Sequence, residues 1–257
     1  MPEFVKTVLE DHVAVVTLDR PPVNALSGQL LVELSDTFRD LDRDTEVRAV
    51  VVSGAGRVFS AGVDIPELRA APPEDAVPRN ARYQAIFLQV DCARVPVIAA
   101  VEGYALGGGL ELALACDYRV AADDCFVGLP EINLGGLPGI GGMQRIQRQI
   151  GHGQAKRIVL TGERVEADDA HRIGLIEELV PAGEVKARAV ALARRIASRA
   201  PLSVQAGKLA LDRGRGLPLQ QSQEIDLRYC GEIAGTEDRI ESLQAFLDKR
   251  EPRIVGR

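Results

Sequence analysis

The sequence predicts a mixed α/β protein, and three observations carry that expectation. Residues 97–101 form an apolar run typical of a buried strand, and a glycine-rich turn and an Ala/Leu-rich helix follow it. Residues 47–52 are a second β-branched run, which indicates a strand buried on both faces. From residue 202 to about residue 249 the pattern is helical. We therefore expect strands and helices in the first part of the chain and helices at its end.

The opening of the chain predicts two paired strands and an amphipathic helix. Residues 4–9 and 13–18 are rich in β-forming side chains, and the three polar residues between them predict a hairpin. Ser27 is a suitable N-cap for the helix that follows. The core face of that helix is predicted from the apolar residues at positions 30, 31, 34, 38 and 41.

The next segment contains two glycine-bearing turns. Residues 54–59 begin like a dinucleotide-binding loop, but Phe59 stands where the third glycine would be, so a nucleotide loop is not expected. The second turn leads into a short helix, with Asp64 as its predicted N-cap. Residues 70–80 are rich in proline and lead into a helix that is predicted over residues 81–92.

The central stretch suggests a site for negative charge. Three glycines, residues 107–109, stand where a helix begins, and bare N–H groups at a helix N-terminus attract anions. Glu111 and Glu131 both have apolar neighbours, so burial would raise their pKa values towards neutrality. Either glutamate alone is better interpreted as an ordinary exposed residue. Their joint placement behind the glycines favours proton transfer at an anion-binding site.

The rest of the chain is mainly helical. Residues 134–145 form another glycine-dense turn that leads into a helix, and a short β segment is predicted over residues 177–180. We expect a core over residues 1–200 and a helical region over residues 201–257. The second region is too small for a large core of its own, so it should pack on the main body or on another subunit.

Composition excludes several function classes. The 257 residues are 46% hydrophobic and 26% charged, as in ordinary globular proteins, and the net charge is -6. No block of Lys and Arg marks a surface for nucleic acid or for an anionic membrane, so neither partner is expected. No apolar run approaches the roughly 20 residues of a membrane span, and no apolar signal segment is visible. We expect a cytoplasmic protein.

Metal binding is also not expected. The four cysteines lie at positions 92, 116, 125 and 230, without a C-x-x-C pair, and the three histidines lack a ligand spacing. We interpret the cysteines as reduced thiols of the core.

Several short motifs, read together, resemble those of the crotonase superfamily, the enoyl-CoA hydratases and isomerases. They come in the family's order and extend over nearly the whole chain. The matching stretches are residues 20–26 (Arg-Pro-Pro-Val-Asn-Ala-Leu), 59–65 (Phe-Ser-Ala-Gly-Val-Asp-Ile), 103–113 (Gly-Tyr-Ala-Leu-Gly-Gly-Gly-Leu-Glu-Leu-Ala), 129–132 (Leu-Pro-Glu-Ile), 138–145 (Pro-Gly-Ile-Gly-Gly-Met-Gln-Arg), Thr161-Gly with Gly174-Leu, and 246–249 (Phe-Leu-Asp-Lys).

The resemblance implies a crotonase-like spiral of ββα units. Two roughly perpendicular sheets would form the core, and the C-terminal helical region would serve trimerisation. The protein would then be a homotrimer or a dimer of trimers.

The resemblance also implies an acyl-CoA thioester as substrate and assigns roles to four positions. The backbone N–H groups of Val63 and Gly108 would bind the thioester oxygen. Glu111 would activate a water molecule, and Glu131 would deliver or remove a proton at C2. The resemblance implies no metal or redox cofactor. Coenzyme A is part of the substrate and is therefore not counted as a cofactor.

Further substrate contacts are implied at Ala61, Asp64, Ile65, Phe246 and Lys249. The last two would reach the adenine and phosphate region of CoA, although an aromatic side chain at a helix end and a solvated lysine explain them equally well. Two positions depart from the pattern often found in hydratases. Leu129 stands in place of a glutamine, and Pro66 in place of a lysine.

Within this superfamily the presence of both acids favours an enoyl-CoA hydratase, which adds water reversibly across the 2,3 double bond of a 2-enoyl-CoA, and two alternatives remain open. A double-bond isomerase or a racemase of the same superfamily would rely mainly on Glu131, and carbon-carbon lyases share the same scaffold. A non-catalytic acyl-CoA-binding protein is the alternative from another class, although a binder has no use for two acids. The acyl chain would be set by a pocket built from residues 66–90, and its length is not predicted.

Overall fold

The computed structural model describes residues 2–257 and contains two β-sheets together with many helices. The strands are β1 (Val5–Glu10), β2 (Val13–Leu18), β3 (Ala49–Gly54), β4 (Val97–Val101), β5 (Tyr104–Leu106), β6 (Tyr118–Ala122), β7 (Phe126–Gly128), β8 (Arg164–Glu166) and β9 (Glu178–Val180). The helices are α1 (Gly28–Arg43), α2 (Ile65–Ala70), α3 (Ala76–Asp91), α4 (Gly108–Ala115), α5 (Gly142–Ile150), α6 (His152–Thr161), α7 (Ala167–Arg172), α8 (Val185–Ala197), α9 (Pro201–Gly214), α10 (Leu219–Ile233) and α11 (Glu237–Leu247). The mixed α/β class is confirmed.

The larger sheet has the order β1-β2-β3-β4-β6-β9. β1 and β2 form the predicted antiparallel hairpin, and all other pairs in this sheet are parallel. Every residue of β4 is buried, as the continuous apolar run predicts for a central parallel strand. Helix α8 packs against β2, β3, β4 and β6, so this sheet forms the centre of the hydrophobic core.

The smaller sheet contains β5, β7 and β8, each of three residues. The sequence did not predict these strands, because three residues are too few for a periodic signal. Their pairing matters for the site. β5 ends next to Gly107, β7 ends two residues before Pro130, and the Gly107 N–H donates to the Gly128 carbonyl at 2.9 Å. The sheet therefore brings together the two chain segments that carry Glu111 and Glu131.

Helix α3 and strand β3 differ most from the predicted bounds. Helix α3 begins at Ala76 rather than at residue 81, with Pro78 in its first turn. Proline is tolerated there because the first N–H groups of a helix have no intrahelical acceptor. Strand β3 covers Ala49–Gly54 rather than residues 47–52. Strand β6 was not predicted, although four of its five residues are buried.

The C-terminal helices begin at Pro201, where the sequence predicted the end of the core. Lys208 of α9 is buried and forms an ion pair with Asp117, and its Nζ donates to the carbonyl of Asp91 at 3.2 Å. These contacts attach α9 to the main body. Packing of this region on another subunit stays a prediction.

Two of the four cysteines lie in the core, as the sequence predicts, and two do not. Cys116 and Cys125 are buried free thiols, but Cys92 and Cys230 are exposed, so their interpretation as core residues is wrong. Cys92 is the C-cap of α3, and Cys230 lies on α10, where only Tyr229 is buried. Within residues 2–257 no helix has the length and apolarity of a membrane span.

Candidate functional site

A cavity of about 360 Å³ lies between α2, α3, the start of α4 and the segment after β7. Residues from the predicted site that line it are Ala61, Val63, Ile65, Gly108, Glu111 and Glu131. The structure therefore brings both glutamates and both predicted N–H donors to one place.

The start of α4 forms one wall of the cavity. Gly107 has φ 52°, a left-handed conformation that favours glycine. A Cβ atom at this position would lie 2.8 Å from Oε1 of Glu131, so a side chain would also displace that carboxyl group. Gly108 is the first residue of α4, and its N–H has no intrahelical acceptor. Glycine at position 107 therefore allows both the turn and the close approach of Glu131.

The N–H groups of Val63 and Gly108 lie close together. Within residues 2–257 neither one donates a hydrogen bond. A Cβ atom at Gly108 would be 3.3 Å from the Val63 nitrogen, which shows how closely the two segments approach. On either side of Val63 the backbone is held by Leu26, whose N–H donates to Gly62 at 2.8 Å and whose carbonyl accepts from Asp64 at 3.2 Å. Two N–H donors that are unpaired within residues 2–257 thus lie beside the cavity, and such donors can stabilise an anionic oxygen.

Glu111 is almost completely enclosed, with 1% of the residue exposed. Its Oε1 accepts hydrogen bonds from the N–H groups of Ile140 at 2.8 Å and Gly142 at 2.7 Å. Burial raises the pKa of Glu111 to about 7, and the two hydrogen bonds oppose this shift. Oε2 accepts no hydrogen bond from residues 2–257 and is not enclosed by protein, so it can contact a molecule in the cavity.

Glu131 lies in a 3₁₀ turn, Pro130–Leu134, and is half-buried. Burial raises its pKa as well. Its Oε2 is enclosed and has no hydrogen-bond partner within residues 2–257. The negative charge of Glu131 further raises the pKa of Glu111, because two carboxylates at one site disfavour each other. The pair can therefore hold one carboxylate and one carboxylic acid near neutral pH.

Replacement of Glu111 by glutamine should change how stability depends on pH. Because the pKa of Glu111 is about 7 in the folded protein and near 4.5 when unfolded, its contribution is fully present below pH 4.5 and is lost as the pH rises through 7. We expect the free energy of unfolding of the wild type, relative to Glu111→Gln, to fall by about 2 kcal/mol between roughly pH 5 and pH 8. Urea titrations across this range measure it, and a constant difference would contradict it.

Three predicted contact residues do not line the cavity. The Asp64 carboxylate caps α2, where Oδ1 accepts from the Glu67 N–H at 2.9 Å, and it pairs with Arg20 at 2.7 Å. The hydrogen bond from Glu67, and then Arg20, lower the pKa of Asp64. Phe246 is 81% exposed on α11, and Lys249 follows the end of that helix. Contacts of these residues with CoA stay predictions.

The sequence did not identify other lining residues. Arg79, Asn80 and Tyr83 of α3 line the cavity and belong to residues 66–90, the segment predicted to form the acyl pocket, but no local pattern in the sequence distinguishes them. The glycine-dense loop also contributes Leu137 and Ile140, and its backbone holds Glu111. The density of glycine in that loop was the available signal, because such loops allow close backbone approach.

The two residues that depart from the hydratase pattern are Leu129 and Pro66. Leu129 is fully buried, and Pro66 lies in the first turn of α2. Neither side chain can donate a hydrogen bond to a ligand.

Comparison with known proteins gives a consistent result. Residues 9–257 match the family model described as enoyl-CoA hydratase/isomerase. The chain is 38% identical over 243 residues to the short-chain-enoyl-CoA hydratase of Clostridium acetobutylicum, covering 94% of this chain and 93% of that relative. It is 38% identical over 249 residues to the 2,3-dehydroadipyl-CoA hydratase of Escherichia coli, covering 96% and 97%.

A solved structure has the same fold. The crystal structure of an enoyl-CoA hydratase from Bacillus anthracis aligns with a TM-score of 0.96 at 36% sequence identity, and the alignment covers 99% of this chain and 100% of that chain. The predicted crotonase-like architecture is thereby confirmed.

Proposed function

The chain belongs to the enoyl-CoA hydratase/isomerase family, and on that premise we propose that it is an enoyl-CoA hydratase. The reaction would be the reversible addition of water across the 2,3 double bond of a 2-enoyl-CoA thioester. The observation that carries the proposal is the presence of two carboxyl groups, Glu111 and Glu131, at the cavity. Two backbone N–H groups that donate to no other group of residues 2–257 belong to the same cavity.

In this proposal the thioester oxygen lies between the N–H groups of Val63 and Gly108. Negative charge develops on that oxygen when water adds at C3, and prearranged donors stabilise it. One such donor is worth roughly 3 kcal/mol of barrier. Because both donors are backbone groups, the Val63 side chain contributes little to this step.

The two glutamates would share the proton transfers. Glu111 is anchored through Oε1, so Oε2 would accept a proton from water while the water oxygen bonds to C3. This step requires the form of the enzyme in which Glu111 is the carboxylate and Glu131 the carboxylic acid, and Glu131 would give its proton to C2. The C2–C3 π bond is broken, and the product is a 3-hydroxyacyl-CoA. A later proton exchange, between the two carboxyl groups or with solvent, returns both glutamates to their starting protonation states. Addition of water is redox-neutral, so we propose no cofactor apart from the CoA of the substrate.

The test is the loss of ultraviolet absorbance of the conjugated enoyl thioester. We expect rapid loss with 2-enoyl-CoAs of graded chain length, and suppression in Glu111→Gln and Glu131→Gln. Absence of loss at every chain length, while CoA esters still bind, would contradict the hydratase and would leave either isomerase chemistry or a non-catalytic acyl-CoA-binding protein.

A double-bond isomerase is the second candidate, and one observation favours it. The hydrogen bonds to Oε1 of Glu111 also hold the loop before α5. Glu111 would then stabilise this loop, and Glu131 alone would transfer the proton. Formation of conjugated thioester from a 3-enoyl-CoA, retained in Glu111→Gln, would support the isomerase.

We also propose a homotrimer or a dimer of trimers in the cytoplasm. Large apolar side chains stay exposed on the C-terminal helices, among them Leu211, Leu219, Leu227 and Phe246, and burial between subunits would remove them from water. Light scattering on the protein used for the assay counts the subunits, and a monomer would contradict the assembly.

A further inference from the structure

One wall of the cavity is chemically different from the others. Helix α3 contributes three polar side chains, Arg79, Asn80 and Tyr83, whereas α2 and the loop before α5 contribute leucine and isoleucine. Arg79 and Tyr83 are four residues apart and so lie on the same face of the helix. A cavity for a plain hydrocarbon chain would not require this polar wall.

Arg79 has no partner among residues 2–257. Within residues 2–257 no carboxylate lies within ion-pair distance of it, and it makes no hydrogen bond, although its Nε is enclosed. The two terminal nitrogens are not enclosed, which leaves the end of the guanidinium group open to the cavity. A partly buried cation without a partner is unfavourable, and an anion that enters the cavity would satisfy it.

Arg82 provides a contrast within the same helix. Its side chain is 62% exposed, it pairs with Asp75 at 3.5 Å, and it is not part of the cavity wall. An exposed arginine of α3 thus has an acidic partner, whereas Arg79, which faces the site, has none in the part of the chain that the structure describes.

We propose that Arg79 binds a carboxylate at the far end of the acyl chain, so that the preferred substrates are 2-enoyl-CoAs that end in a carboxylate. This inference rests on the proposed function and names the substrate class of the same site. The guanidinium end offers two parallel N–H donors that match the two oxygens of a carboxylate. Because Arg79 lines the same cavity as Glu111 and Glu131, an acyl chain held at those glutamates can reach it.

The neighbouring side chains suit this ligand. Burial raises the pKa of Tyr83, so its hydroxyl group stays protonated and can donate. Asn80 packs over Gly139, and the Gln84 amide donates to the Gly139 carbonyl at 2.8 Å. These contacts hold the polar wall against the loop before α5.

The experiment compares two 2-enoyl-CoAs of equal chain length, one ending in a methyl group and one in a carboxylate. We expect the wild type to favour the carboxylate in kcat/KM, and Arg79→Met to lose about 10- to 100-fold with that substrate alone. Arg82→Met is the matched control and should keep the wild-type ratio. Arg79→Lys should retain part of the preference.

Two results would overturn the inference. One is a wild type that favours the methyl-terminated substrate. The other is an equal loss with both substrates in Arg79→Met, which would place Arg79 at the phosphates that all CoA esters share.

Binding measurements separate this inference from the proposed function. Saturated acyl-CoAs with the same two chain ends cannot be hydrated, and calorimetry gives their Kd for wild type, Arg79→Met and Arg82→Met. If the carboxylate preference is present and depends on Arg79 while no enoyl-CoA is hydrated, the hydratase proposal fails and the carboxylate contact of Arg79 stands. If hydration occurs without any such preference, the inference fails alone.

Discussion

Replacement of Glu131 by glutamine is expected to lower kcat/KM for the hydration of 2-enoyl-CoA by about 10²- to 10⁴-fold. Glutamine keeps the size of the side chain beside Gly107 but cannot give a proton to C2 or take one from it. Apart from a bond with its own backbone, the Glu131 side chain makes no hydrogen bond within residues 2–257, so the substitution breaks no hydrogen bond between segments. Initial rates of absorbance loss over a range of substrate concentrations measure the effect.

The control is Glu74→Gln, an exposed glutamate near the start of α3, which should hydrate at the wild-type rate. A double variant adds a second criterion. Because Glu111 and Glu131 would act as one unit, removing both should cost little more than removing either one. Activity of Glu131→Gln within tenfold of the wild type, with intact folding by circular dichroism, would remove Glu131 from the proton transfer.

The central part of the fold could be predicted from the sequence because each of its elements has a pattern of neighbouring residues that identifies it. The apolar run of β4 and the glycines after it predicted a buried strand, a turn and a helix, and α4 does begin at Gly108. The apolar neighbours of Glu111 and Glu131 predicted raised pKa values for the same reason, since burial of the chain buries the carboxyl groups. Asp64 caps α2 as predicted.

Other features depend on contacts between distant segments. Strands β5, β7 and β8 are too short to identify alone, and only their pairing places Gly107 against Glu131. Arg79 lies among other charged residues of α3, and no local pattern distinguishes it from Arg82. The packing of α3 against the loop that contains Gly139 determines which arginine faces the cavity.

Gly62→Ala is expected to lower kcat by about 10²-fold or more, through the geometry of the oxyanion site. Gly62 has φ 93°, and a Cβ atom there would lie 2.6 Å from the Leu106 carbonyl oxygen and 3.1 Å from the Gly108 nitrogen. The two segments must therefore separate, which moves the N–H groups of Val63 and Gly108 apart. Because those donors act mainly on the developing charge, kcat should fall more than KM rises.

Gly56→Ala separates this effect from backbone strain. Gly56 has φ 77° and also favours glycine, but a Cβ atom there would meet nothing within 4 Å. It should lose about 1 kcal/mol of stability from strain and keep the wild-type kcat. Both variants are assayed below their melting temperatures.

Ser60→Ala gives a milder displacement if Gly62→Ala does not fold. The Ser60 hydroxyl accepts from the Gly62 N–H at 3.1 Å and donates to the Asn24 carbonyl at 2.8 Å, so its removal loosens the same turn without a clash. A folded Gly62→Ala or Ser60→Ala variant with unchanged kcat would mean that the spacing of the Val63 and Gly108 donors does not limit the reaction. A fall in kcat with stable KM, graded from Ser60→Ala to Gly62→Ala, would assign the thioester oxygen to that pair.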